Sequence, residues 1–384
     1  MRIMYYRIIH LPEPGTETFF LWGPRQTGKS TLLRKRYGDA LWIDLLKADV
    51  YRRYMQHPEF LRQELLARTD RPAVVIDEIQ KVPQLLDEVH WLHENEQVRF
   101  ALCGSSARKV KRGHANLLGG RALRFELSGL VWPELENDWN LDTLLNNGYL
   151  PGRYNSSGRR AMAGYVGDYL KEEIAAEGLV QNLPAFSDFL SIAALSDTES
   201  VNFTNIARDC GVSAPTVKSY FQILEDTLVA RFLPSYVKRP KRRPHKSSKL
   251  YFFDVGVVNF LTRRGKLEQR NSLYGKAFEN YCYHELHTFN EVMERFAPLH
   301  YWRLTSGAEV DFIVGDMEVA IEVKCSQRIH DGHLKGIREL IKEYPECGRR
   351  VVVSLEPVLR KTSDGIEIYP ITAFLEQLWK GEIW

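Results

Sequence analysis

The stretch GPRQTGKST, residues 23–31, constrains this chain more than any other part of it. It reads G-x-x-x-x-G-K-S from Gly23 to Ser30, with the apolar run FFLW before it and LLRK after it. A strand that turns through glycines into a helix leaves backbone N–H groups pointing outward at the positive end of that helix, and this arrangement holds phosphate. The pattern assigns Lys29 to the β- and γ-phosphates and the Ser30 hydroxyl to Mg2+. The expectation is an ATP and Mg2+ site built from Gly23, Pro24, Arg25, Gln26, Thr27, Gly28, Lys29, Ser30 and Thr31.

The flanking sequence supplies the context such a loop needs. Short apolar strands at 17–22, 40–45, 73–78, 98–105 and 122–130 alternate with helical stretches at 29–36, 50–67 and 82–94. Alternation of this kind, with unbroken β-branched strands, predicts a doubly wound α/β core on a parallel sheet covered on both faces. The third strand, AVVIDE, ends in Asp77 and Glu78. Asp77 is placed to hold the Mg2+ shell and Glu78 to polarise the attacking water as general base. Ser105, after the strand FALCGS, is placed to contact the γ-phosphate or its water. A cation that neutralises the transition state should come from a neighbouring subunit, which implies a ring. Arg121, after the Gly pair of GGRAL, is the first candidate for it, with Arg108 and Arg153 as competitors.

With 384 residues the chain is too long for one ordinary core. The pattern changes after about 130, giving four expected domains: the core at 1–130, a helical lid at 131–200, a third domain at 201–265 and a last one at 266–384. The five cysteines are scattered and form no C-x-x-C pair, which points to reduced thiols rather than zinc. No apolar run approaches membrane length and the first residues lack the features of a signal peptide, so a cytoplasmic protein is expected.

In the third domain a short helix at 205–209, a turn at Gly211 and a second helix from Ala214 to about Thr227 form a helix-turn-helix pattern, with Ser213 as cap and Ala207 and Val217 facing inward. Two strands follow, on either side of VKRPKRRPHKSSK. Helix-turn-helix plus hairpin predicts a winged helix with that basic segment as its wing. The segment holds Lys238, Arg239, Lys241, Arg242, Arg243, Lys246 and Lys249 and no acid, so without it a chain of net charge +3 is net acidic. One concentrated patch of this kind points to a polyanion. In a winged helix the second helix enters a major groove. Its outward polar residues, Ser213, Thr216, Lys218, Ser219 and Gln222, are poor in cations, so the wing should dominate DNA affinity through the phosphate backbone.

The last domain reads as α/β: a helix at 275–287, strands at 299–304, 309–314, 318–325 and 349–355, and a helix at 330–344 before the last strand. AEVDFIV and EVAIEVKC bring Asp311 to a hairpin partner of the strand that carries Glu322 and Lys324, and alternation puts those two on one face. Two carboxylates on a hard cation, with a lysine to orient water, suit phosphodiester hydrolysis. The set resembles the PD-(D/E)xK nuclease core, and Glu279 in GKAFENYCYHEL matches the acidic residue that core carries upstream.

GPRQTGKST, DEIQKVPQLL, CGSSA and GGRALRFELSGL together resemble a group of prokaryotic AAA-type ATPases, and GYLPGR, KLYFFDVG and GKAFEN extend the resemblance over nearly the whole chain. It implies an AAA+ P-loop core, a helical lid, a winged helix and a nuclease-like C-terminal domain, with ATP as ligand, a ring that is often a hexamer, and a DNA substrate. LLGGR replaces the group's usual LAGR before the fifth strand. Three functions follow as expectations: an ATP-driven enzyme that remodels duplex or branched DNA such as four-way junctions, an ATP-gated Mg2+-dependent nuclease, and a nucleotide-switched DNA-binding or assembly protein with slow turnover.

Overall fold

The computed structural model describes residues 5–70, 72–106, 118–156, 159–173, 180, 182–237 and 247–384. Arg108 and six of the wing cations, Lys238, Arg239, Lys241, Arg242, Arg243 and Lys246, lie outside the described residues. The chain divides into two compact units. One is built on the residues up to Gly129 together with 222–229, and the other on the rest of the chain from Leu130 onward.

The first unit is organised by five strands, β1 (Phe19–Trp22), β2 (Leu41–Asp44), β3 (Val74–Asp77), β4 (Phe100–Gly104) and β5 (Leu123–Glu126). They pair in the order β2-β3-β4-β1-β5, and every pairing is parallel, as the alternation requires. Strand periodicity sends Phe20, Trp22, Val74, Ile76 and Leu102 to one apolar cluster. Phe19, Leu21, Val75, Ala101 and Cys103 go to the opposite one, which also holds Leu33 from the helix Lys29–Arg36. Burial on both faces is why these strands read as apolar runs rather than as alternating ones. The expected helix over 50–67 is instead two, Ala48–Gln56 and Phe60–Leu66. Pro58 cannot donate a helical hydrogen bond and disfavours the helical conformation at His57, so the helix stops there.

The second unit takes in the helix Phe203–Cys210 and the helix Ala214–Asp226 as far as Phe221; the two flank a left-handed Gly211, and Ala207 and Val217 are buried as expected. The Ser213 hydroxyl accepts from the Thr216 backbone N–H at 3.2 Å, capping the second helix. Strands β6 (Ala230–Leu233) and β7 (Lys249–Phe252) form an antiparallel pair. The same unit holds a six-stranded mixed sheet of β8 (Leu299–Arg303), β9 (Glu309–Val314), β10 (Val319–Lys324), β11 (Arg349–Ser354), β12 (Arg360–Lys361) and β13 (Glu367–Pro370), in the order β12-β13-β11-β10-β9-β8. The long helix Ser272–Val292 is buried along most of its length.

The phrases GYLPGR, FFDVG and GKAFEN meet inside this unit. Asp254 caps the helix Val255–Leu261 and accepts from the backbone N–H groups of Tyr149 (2.5 Å), Leu150 (3.1 Å) and Val257 (3.0 Å). Gly148 has φ 87°, and a Cβ there would lie 2.2 Å from Asp254 Oδ1, so glycine is needed for both conformation and space. Asn280 donates to Asp197 Oδ1 (2.9 Å) and to the Phe252 carbonyl (3.0 Å), tying the long helix to β7. These phrases form a structural lock.

Candidate active site

The phosphate loop runs from the end of β1 into the helix Lys29–Arg36, at the sheet edge where β4 and β5 flank β1 on opposite sides. A crevice outside the carboxyl ends of parallel strands, at such a switch point, is where open α/β sheets bind ligands. Gly28 is left-handed at φ 98°, and a Cβ on Gly23 would stand 2.4 Å from the Leu127 carbonyl oxygen, so both glycines are required by geometry. Gln26 is also left-handed, at φ 65°. The Thr27 hydroxyl donates to the Pro24 carbonyl (3.0 Å). The Lys29 ammonium is buried and donates to the carbonyls of Gly23 (2.7 Å) and Pro24 (2.9 Å). Burial lowers its pKa, against the opposing pull of Cys103, Glu78 and Asp77. Ser30 is half-buried in the first turn of the helix and Thr31 is exposed.

Strand alternation turns Asp77 to the same sheet face as Val75 and Cys103, the face on which Leu33 of the phosphate-loop helix packs. Asp77 is buried, and its Oδ1 has no hydrogen-bond partner among the described residues. An orphaned buried carboxylate oxygen whose charge acts on Lys29, the residue before Ser30, fits a divalent cation, so Ser30 and Asp77 are the residues that would hold Mg2+. Glu78 follows with φ 63°, a conformation that costs a non-glycine residue on the order of 1–3 kcal/mol and that clusters at functional sites. It points the Glu78 carboxylate to the amide of Gln80, whose Nε2 donates to Glu78 Oε2 and, at 3.0 Å, to Ser105 Oγ. Glu78, Gln80 and Ser105 are all buried. Gly104 makes room for this bridge, because a Cβ there would lie 2.4 Å from Gln80 Oε1 and 2.5 Å from Trp22 Cζ3.

Two residues of this site escaped the sequence reading. Gln80 stands two positions after Glu78 in DEIQ, a visible polar residue whose role depends on the left-handed turn. Arg7 comes from the segment before β1. Its guanidinium donates to the Thr27 carbonyl inside the loop and to the carbonyls of Ser128 (2.8 Å) and Gly129 (3.2 Å), closing the loop against the chain that leaves β5.

Arg121 pairs with Glu94 at 2.7 Å, with both side chains near half exposure. It precedes β5, whose first residue Leu123 is level with Phe19, whereas the phosphate loop follows Trp22 at the other end of β1. Arg121 therefore lies at the sheet edge opposite its own phosphate loop. Arg153 belongs to the second unit.

The C-terminal residues converge in the second unit. Asp311 Oδ2 accepts from the Val323 backbone N–H (2.9 Å), Lys324 pairs with Glu322, and Glu279 reaches the same cluster from the long helix. A third strand corrects the sequence reading: Lys249, counted there among the wing cations, is buried on β7 with its ammonium between Glu279 (2.9 Å), Glu309 (2.5 Å) and Asp311 (3.1 Å). Tyr251 donates to Glu279 at 2.7 Å. Burial raises Glu279 to about 7 and Glu322 to about 8, with the Asp311 charge adding to both shifts. Among the described residues, no group of three or more His, Cys, Asp or Glu side chains is arranged to hold a metal ion. The carboxylates as they stand do not fit one.

Residues 16–136 match the model of a family described as an AAA domain, and residues 138–268 and 274–374 match two domains of unknown function, DUF8612 and DUF4143. Uncharacterized proteins of Mycobacterium bovis and Mycobacterium tuberculosis are each 28% identical over 309 residues, covering 77% of this chain. The chain spans 66% of the length of these curated relatives. A Walker-type ATPase of Pyrococcus abyssi is similar over 64% of this chain and 90% of its own, at 13% identity and a TM-score of 0.42. Among the described residues no helix is long and apolar enough to cross a membrane. With the loop at 23–31, the parallel sheet and the Asp77–Glu78 strand end in place, residues 16–136 have the phosphate loop and the parallel-sheet core expected of the AAA domain model that they match.

Proposed function

We propose that this chain hydrolyses ATP in its first unit and uses the cycle to act on duplex or branched DNA. The observation that carries the catalytic half is the placement of Glu78. It is buried and turned by its left-handed backbone toward Gln80 and Ser105, next in the chain to Asp77. The loop amides and the Lys29 ammonium receive the phosphates, and Arg7 keeps the loop from opening. Ser30 and Asp77 would hold Mg2+, which when bound would supply charge neutralisation at the transferring phosphoryl group. Glu78 takes the proton of the attacking water, while Gln80 fixes the carboxylate's direction and Ser105 offers a hydroxyl to the same space.

The DNA half rests on the paired helices Phe203–Cys210 and Ala214–Asp226, a hairpin after them, and the cations at 238–246 between its strands. That order suits a winged helix. Lys218, Ser219 and Gln222 are exposed and Thr216 half-buried, so this helix offers one cation, and the wing supplies most of the attraction to phosphates. Arg121 sits too far from its own loop to serve it and is offered to a neighbouring subunit, which makes a ring, with six copies as the first expectation.

The test is ATP turnover with and without single-stranded, duplex, forked and four-way DNA, repeated with the cations at 238–246 changed to Ser. DNA should raise turnover, and the Ser variant should bind more weakly with a flatter salt dependence. Turnover indifferent to every DNA, or an unchanged salt slope, rejects the DNA half.

A further inference from the structure

The carboxylate cluster of the second unit has its own cation. Lys249 carries three N–H donors, and three carboxylate oxygens receive them: Glu279 Oε1 from the long helix, and Glu309 Oε1 and Asp311 Oδ1 from β9. The lysine is only 3% exposed. Burial alone would depress its ammonium, but Glu279, Asp311 and Glu309, with Tyr251, raise its pKa well above the usual range. Its backbone pairs with Leu233 on β6, so the ammonium belongs to the hairpin while its acceptors belong to the C-terminal layer. Beside it, Glu322 is 4% exposed and its Oε2 has no hydrogen-bond partner among the described residues, its other oxygen being taken by Lys324.

We propose that Lys249 is the resident cation of this cluster: it occupies the position a divalent metal would need among Glu279, Glu309 and Asp311, riveting β7 to the C-terminal sheet and closing the cluster to metal. Four carboxylates face Lys249, Lys324 and, at the Glu309 end, Arg303, so loss of Lys249 leaves four carboxylates against two cations and favours a divalent ion, and Glu322 Oε2 is an acceptor already desolvated for it. The cluster is thus a structural ion-pair site in the wild-type chain and a metal site only without its lysine. A nuclease assignment for Asp311, Glu322 and Lys324 requires the Lys249 ammonium to leave first.

The test is calorimetric titration of Mn2+ into the intact, nucleotide-free 384-residue chain. Wild type and Asp311→Asn should give the same isotherm. Lys249→Met should gain a site that the added change Asp311→Asn removes. Because Lys249→Met takes the ammonium from three carboxylates, of which Glu309 keeps Arg303 at 3.5 Å, Lys249→Met/Glu309→Gln is measured alongside it and should gain the same site. A wild-type isotherm that already contains an Asp311-dependent site overturns the proposal. So does a folded Lys249 variant of either kind that gains none.

Discussion

The Gln80 side chain lies across the space between Glu78 and Ser105, its Nε2 3.0 Å from Ser105 Oγ and donating also to Glu78 Oε2. An amide nitrogen shared in this way sets the direction of the Glu78 carboxylate without touching the phosphate loop. Gln80→Ala should lower kcat for ATP about tenfold and leave KM within about twofold, the pattern of a positioning residue. Gly104→Ala should give a similar loss of kcat, since its new Cβ displaces the Gln80 amide. Steady-state ATP hydrolysis checks both, and a KM effect larger than the kcat effect would count against this role.

Arg7 binds three carbonyls with a planar fork that a lysine cannot reproduce. Arg7→Ala should weaken nucleotide binding by about 1.5–3 kcal/mol, the range for hydrogen bonds to a charged group. Arg7→Lys should recover little of it. Titration with a fluorescent ATP analogue measures this directly.

Breaking the buried ion cluster by Lys249→Met should destabilise the second unit by about 3–5 kcal/mol, because it strands charges that have already lost water. Adding Glu279→Gln should recover part of the loss, and denaturant melts of the two single variants and the double variant read the coupling.

Burial raises the carboxyls of Asp197, Asp254 and Glu285 to about 7, about 6 and about 7. Each is raised above its unfolded value, so the folded chain keeps protons that the unfolded chain releases above pH about 4. Their contribution to stability is complete below that pH and is lost as pH rises through 6–7. The thermal midpoint of the second unit should fall between pH about 5 and about 8, and Asp197→Asn should flatten that slope.

The nucleotide site was legible because its signals are local. The spacing from Gly23 to Ser30 and the run ending in Asp77 and Glu78 each sit within a few consecutive residues, and a strand or a helix carries them into place. Gly211, Ser213, Ala207 and Val217 were readable for the same reason. Asp311, Glu322 and Glu279 were legible as a set, since a hairpin register joins the first two. Lys249 was not, because a lysine at the end of a basic run looks solvated, and only pairing with residues 30 and 62 positions away buries it. Arg7 was hidden likewise, its acceptors lying 20 to 122 positions along the chain. The helix break at Pro58 was written in the sequence and overridden there by the apolar periodicity around it.

The most direct measurement for the central claim is phosphate release from ATP by Glu78→Gln, with nucleotide binding measured on the same protein. Removing a general base that acts at the water should cut turnover by roughly 10²–10⁴-fold while ATP binding stays within a few-fold of wild type. Turnover equal to wild type, with ATP bound, would contradict the account.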